Sequence, residues 1–116
     1  MALVLRPVTD PSLPVHAAIL AAEGSVDLEN APVLEKALEA LLAAGKTQVA
    51  IDCAAVRYVN SSGFGVLIKV ATALEERGGG LSLLGIPAKV RIVVEMLGIE
   101  QVFAVVCAQR PAALAA

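Results

Sequence analysis

The segment Arg57-Tyr58-Val59-Asn60-Ser61-Ser62-Gly63-Phe64-Gly65 places three small polar side chains directly before two spaced glycines. It lies between an apolar run of strand length and a run of helical periodicity, so Asn60, Ser61 and Ser62 fall at a helix start. Two chemistries fit that position. In the first, Asn or Ser caps the helix and the glycines let it approach a sheet closely. In the second, a hydroxyl sits beside unpaired backbone N–H groups at the positive end of the helix dipole. A phosphate on that hydroxyl would be tolerated by the fold while adding close to two negative charges to the surface. Two serines where one cap suffices favour the second reading slightly.

Other chemistries find less. An acyl-transfer nucleophile needs a neighbouring base, and the single histidine, His16, lies in an early apolar stretch. No G-x-S-x-G elbow and no zinc-binding His/Cys pattern occurs. Gly63-Phe64-Gly65 opens a GxG, but Ile68 breaks GxGxxG. Gly78-Gly79-Gly80 follows a helical pattern and reads as a helix stop. Asp27 and Asp52 are too far apart in sequence to argue for a carboxylate pair, and Asp52 reads as a strand end. Cys53 and Cys107 lack CxxC spacing and read as reduced core thiols. The chain therefore reads as a non-enzyme, with no metal and no cofactor.

The elements that must hold Ser61 follow from periodicity. Leu3–Arg6 and Val15–Ala22 read as two strands of an antiparallel hairpin, joined by a loop containing Pro7, Pro11 and Pro14. Glu23-Gly24-Ser25 reads as the end of the second strand. Leu34, Leu38, Leu41 and Leu42 mark a helix with Asn30 as N-cap, Pro32 in its first turn and Gly45 after it. Val49–Cys53 is a central strand, Ser62–Arg77 a helix with Leu67, Val70, Ala71 and Leu74 on its stripe, and Leu81–Leu84 another strand. Ala88–Leu97 is a third helix, followed by a strand at Val102–Val106. Ile92 and Met96 extend the third helix's apolar surface beyond its stripe of Val90, Val93, Val94 and Leu97. That extension suits either deep burial or contact with a partner.

The alternation implies parallel strands with right-handed crossovers. The expected fold is α/β: a single mixed sheet of about five strands, an N-terminal hairpin and then parallel strands, with helices packed on it. A length of 116 residues suits one domain. Residues 1–108 are assigned to it and residues 109–116 to a short tail.

Composition narrows the partners. Hydrophobic residues make up 58% and mean hydropathy is +0.79, which excludes disorder. Charge-free runs reach only roughly a dozen residues, against the ~20 needed to span a bilayer. Nine basic against eleven acidic residues are scattered without a basic patch, which argues against nucleic acid. Met1–Val8 lacks a signal-peptide pattern. A cytoplasmic location is expected, without insertion into a membrane.

The chain resembles the STAS domains of bacterial anti-sigma-factor antagonists. The resemblance rests on Gly24 and Asp27, Ala31-Pro32-Val33-Leu34, the strand Val49–Asp52, Asn60-Ser61-Ser62-Gly63-Phe64-Gly65-Val66-Leu67 and Arg77-Gly78-Gly79-Gly80-Leu81. It continues through Val90–Ile99 to Val102-Phe103, so it covers nearly the whole chain. In that family a serine is phosphorylated by a partner that is both an anti-sigma factor and a serine kinase of the histidine-kinase-like ATPase type. The unphosphorylated antagonist binds this partner and frees the sigma factor. Phosphorylation breaks the complex, and a PP2C-type phosphatase resets it.

The resemblance implies that Ser61 is the phosphoacceptor, with Ser62 ranking behind it. It implies a switch surface of Asp27, Asn60, Ser62, Gly63 and Phe64. The chain departs from the family in three places: Asn60 stands where Asp is usual, Ser25 where Glu is common, and little remains of the C-terminal helix. Two other readings stay open. One is a constitutive STAS adaptor, for example a subunit of a lipid-transport ABC system. The other is a nucleotide- or small-ligand-sensing domain with its pocket around Asp27, Asn60 and Gly63. A homodimer is also kept open.

Overall fold

Five strands and three helices, alternating from the second strand onward, make up the computed structural model, which describes residues 3–97 and 104–106. The strands are β1 (Leu3–Pro7), β2 (Ala17–Val26), β3 (Gln48–Val59), β4 (Gly80–Leu84) and β5 (Ala104–Val106). The helices are α1 (Ala31–Ala43), α2 (Ser61–Glu76) and α3 (Ala88–Leu97). The sheet runs β1-β2-β3-β4-β5 in space as in sequence. The β1–β2 pair is antiparallel and every later pair is parallel, the expected mixed sheet. The expected tail at residues 109–116, and Cys107, lie outside the described residues.

Because each crossover steps one strand in the same direction, right-handed connections put all three helices on one face. The main core has that composition. Leu34 and Leu38 of α1, Phe64, Leu67, Val70 and Leu74 of α2, and Val90 and Val94 of α3 pack on Leu20, Val49, Ile51, Leu81 and Leu83 of the sheet. On the opposite face Ala17, Ile19 and Ala50 are buried with Val8, Leu13 and Leu84 beside them, under the proline-rich loop.

Both glycine stops behave as periodicity suggests. Gly45 (φ 85°) and Gly78 (φ 81°) take the left-handed conformation after α1 and α2. Lys46 N–H returns to Leu41 C=O at 3.1 Å, and Gly79 N–H to Leu74 C=O at 2.9 Å, which satisfies the helix-end carbonyls.

Two strands run further than their sequence patterns suggest. β2 starts at Ala17 rather than Val15 and passes through Glu23-Gly24-Ser25 to Val26. Gly24 continues the strand by adopting φ 105°, which a side chain would disfavour. β3 does not end at Asp52 or Cys53 but continues seven residues beyond Asp52 to Val59. Asp52 lies inside the strand, opposite Ala21 and Leu84, and its Oδ1 accepts from Ala54 N–H at 3.1 Å.

The cause is a pair of bulges. Between Ala21 and Glu23 β2 advances two residues while β3 advances three, from Asp52 to Ala55. From Gly24 to Ser25 β2 advances one while β3 advances two, from Val56 to Tyr58. The buried apolar positions facing the helices are therefore Val49, Ile51, Cys53, Val56 and Val59. Their spacing changes from two to three at each bulge. Strict alternation does not predict this, so the sequence pattern stops at Cys53.

Candidate functional site

β2 and β3 end side by side, with Val26 paired to Val59, and two helices start just beyond them. Asn60 N–H donates to Val26 C=O at 3.0 Å, which fixes the first residue after β3 against the end of β2. This places Asp27 and the Asn60-Ser61-Ser62 run at the same end of the sheet, beyond two of its inner strands.

The cap of α2 is Asn60. Its side-chain Oδ1 accepts from Gly63 N–H at 3.1 Å, and its carbonyl accepts from Phe64 N–H at 3.1 Å. The helix begins at Ser61, one residue earlier than the periodicity indicates. Ser61 is exposed, Ser62 is half-buried, and Gly63 and Phe64 are buried. The cap thus needs neither serine hydroxyl.

Gly63 explains the close approach of α2 to the sheet. A Cβ there would lie 2.7 Å from Cγ1 of both Val26 and Val59. Gly65 differs: it is exposed and a Cβ would meet nothing within 4 Å. The expectation that both glycines serve packing holds for Gly63 and fails for Gly65, because the helix turns position 65 to solvent.

Asp27, not Asn30, provides the side-chain cap of the α1 entry. Asp27 Oδ1 accepts from Glu29 N–H and Asn30 N–H, each at 3.0 Å. Ala31 N–H donates to Asp27 C=O at 2.8 Å, so helical bonding starts one turn before Ala31. Asn30 Oδ1 accepts in return from Asp27 N–H at 2.8 Å, which closes a capping box with Asn in the place usually held by Glu or Gln. Asn30 Nδ2 also donates to Ser25 C=O at 2.8 Å and ties the box to β2. Sequence reasoning missed this role of Asn30. The D-x-x-N spacing was the available signal.

Around this end of the sheet, Leu28 (74% exposed) and Tyr58 (52%) present apolar surface to solvent. Asp52 lies far down β3 from Asp27, so the two carboxylates form no pair. Among the described residues no group of three or more His, Cys, Asp or Glu side chains is placed to hold a metal ion. Two surface grooves of about 320 Å³ lie elsewhere. One follows Pro7–Leu20 and reaches Lys46, and the other is lined by Glu23, Gly24 and Ala54–Arg57. Neither includes Asp27, Asn60 or Gly63, around which the alternative ligand-sensing reading puts its pocket. Cys53 is buried, and desolvation together with the Asp52 charge pushes its thiol up to about 12. No helix among the described residues is long and apolar enough to cross a membrane.

Comparison with known proteins agrees with this architecture. A family model described as "Mlab, STAS domain" matches residues 10–106. A Bordetella bronchiseptica protein named as an anti-sigma factor antagonist, BtrV, is 33% identical over 93 residues, covering 80% of each chain. The crystal structure of an anti-sigma factor antagonist from Mycobacterium paratuberculosis superposes with a TM-score of 0.72 at 20% identity, covering 90% of this chain and 86% of that one. The Bacillus cell fate determinant SpoIIAA, in its phosphorylated form, superposes with a TM-score of 0.66 at 18% identity over 90% of each chain.

Proposed function

The chain belongs to the STAS domain family, and from that premise we propose that it is an anti-sigma-factor antagonist switched by phosphorylation of Ser61. The observation that carries the reading is the exposed Ser61 hydroxyl at the first position of α2, while Asn60 alone supplies the side-chain cap. A kinase can reach such a hydroxyl, and its modification removes no bond that holds the helix start.

In this reading the unphosphorylated protein binds, in the cytoplasm, an anti-sigma factor that is also a serine kinase of the histidine-kinase-like ATPase type. Ser61 Oγ attacks the γ-phosphorus of ATP, the bond to the β-phosphate oxygen breaks, ADP leaves, and the hydroxyl proton passes to a base on the kinase. The product carries close to two added negative charges beside Asp27, on a surface where Leu28 and Tyr58 offer apolar contact. Like-charge repulsion and the cost of desolvating the phosphate then release the partner. A PP2C-type phosphatase hydrolyses the ester and restores the binding form. Ser62, half-buried, ranks behind Ser61 as acceptor.

Asn60 favours a second reading. It is neutral where related antagonists usually carry Asp, and the matching family model bears the Mlab name. A constitutive STAS adaptor, for example within a lipid-transport ABC system, would use the same surface without phosphorylation.

The test uses Ser61→Ala and Ser61→Asp proteins as baits, followed by incubation of the captured proteins with ATP and wild-type chain and mass spectrometry of its Ser61 peptide. Under the first reading a histidine-kinase-like ATPase binds Ser61→Ala, is lost from Ser61→Asp, and phosphorylates wild-type Ser61. Equal capture of one ATPase by both baits, with Ser61 unmodified, overturns the switch and supports the adaptor.

A further inference from the structure

We propose that β1 is a self-pairing edge, through which two copies of this chain join antiparallel into one continuous sheet. The argument begins with hydrogen-bond parity. Val8 N–H donates to Ile19 C=O at 2.9 Å, which continues the β1–β2 register by one pair. Antiparallel pairs alternate between bonded and non-bonded. Val4–Glu23 and Arg6–Ala21 are therefore bonded inward. The N–H and C=O groups of Leu3 and Leu5, and the C=O of Pro7, point to the open edge.

This edge is self-complementary about Leu5. A two-fold axis through Leu5 lets each Leu5 N–H donate to the C=O of its copy. Each Leu3 N–H then meets a Pro7 C=O. The missing Pro7 N–H falls at the end of the ladder, where it costs one bond per side rather than interrupting the centre.

The side chains fit the same register. Leu3 and Leu5 are only partly buried against the main core, and pairing joins them to their copies on the helix-bearing face. On the other face Arg6 of one copy lies across from Val4 of the other, with Glu23 immediately beyond Val4. Two strand spacings, about 10 Å between backbones, are within the combined reach of an arginine and a glutamate. Arg6 and Glu23 are both exposed, so the pair forms twice across the axis with opposite charges facing. Val4, 48% exposed, is covered between them. A five-residue edge falls short of the roughly 1,000 Å² that a specific interface should clear, so the dimer is a weak one. Ser61 lies two strands inward and stays free in it.

Sedimentation equilibrium of the full chain from 5 to ~500 µM tests this. The expected weight-average mass rises from 11.8 kDa toward twice that value. Arg6→Glu sets two glutamates across each pair and should raise the dissociation constant about tenfold. Adding Glu23→Arg restores the opposite charges and should recover most of that loss. Circular dichroism checks that each variant folds. A mass that stays at 11.8 kDa throughout overturns the proposal. So does a dimer that Arg6→Glu leaves unchanged, or one that Arg6→Glu weakens and Glu23→Arg does not rescue.

Discussion

Asn60 and Gly63 close the first turn of α2 between them, side-chain Oδ1 on backbone N–H at 3.1 Å. Both residues serve a start that leaves the Ser61 hydroxyl outside its bonding. Asn60 satisfies an amide that the helix cannot, and Gly63 lets the turn sit against Val26 and Val59. The surface hydroxyl is thereby held on a rigid element, with its own chemistry uncommitted.

Removing the cap should cost stability. Asn60→Ala is expected to destabilise by about 1 kcal/mol, while Asn60→Asp keeps the accepting oxygen and should be neutral or stabilising. Urea denaturation of the two variants checks this. Equal loss in both would mean that the Gly63 bond is not what stabilises α2.

The two glycines of the motif should respond in opposite directions. Gly63→Ala forces a methyl to within 2.7 Å of two valine methyl carbons and should cost about 1–3 kcal/mol. Gly65→Ala meets nothing and should stabilise by about 0.5–1 kcal/mol, from better helix propensity. Thermal melts of both proteins measure the contrast. Similar shifts in the two would contradict the packing described for α2.

A negative charge at position 61 should be welcome in the folded protein. Ser61→Asp puts a carboxylate on the first turn of α2, where it should add about 0.3–1 kcal/mol at low ionic strength, fading in 1 M salt. Loss of partner binding by this variant, alongside unchanged or raised stability, would locate the effect at the surface. Destabilisation would attribute it to damaged folding.

Asn30 should matter to Asp27 more than its place before α1 suggests. Asn30→Ala removes an acceptor for Asp27 N–H and a donor to Ser25 C=O, and should cost about 1–2 kcal/mol. Asn30→Gln or Asn30→Glu, the usual box partners, should recover part of it. A neutral Asn30→Ala in a denaturant titration would remove the box from the account.

Cys53 should be inert while the chain is folded. With its thiol pushed up to about 12 from 9.0, the thiolate at pH 8 is scarcer on the order of a thousandfold. Iodoacetamide labelling in a Cys107→Ser background should require urea. The same shift has a definite sign in stability. Below pH 9 both folded and unfolded chains hold the proton, and the stabilisation is complete. Above it the unfolded chain ionises first, so stability falls by about 1.4 kcal/mol per pH unit until the folded thiol itself titrates. The difference between wild type and Cys53→Val from pH 8 to 11 isolates this contribution. A flat difference would refute it.

Element order, the antiparallel start followed by parallel crossovers, the helix stops at Gly45 and Gly78, and the position of Ser61 at a helix start were all legible in the chain. Each rests on short-range physics: apolar spacing, glycine's access to positive φ, and the need of a helix start for acceptors. Three features depended on contacts between distant segments. The extension of β3 to Val59 required the β2 register, because its two bulges turn an apparently ended alternation into a continuing strand. The choice of Asn60 over the serines as cap required the bond of Asn60 N–H to Val26, which fixes where the helix begins. The difference between Gly63 and Gly65 required the two valines that crowd only one of them. Local spacing determines which residues share a face. Which neighbour that face meets, and at what distance, is decided only when strands remote in sequence pair.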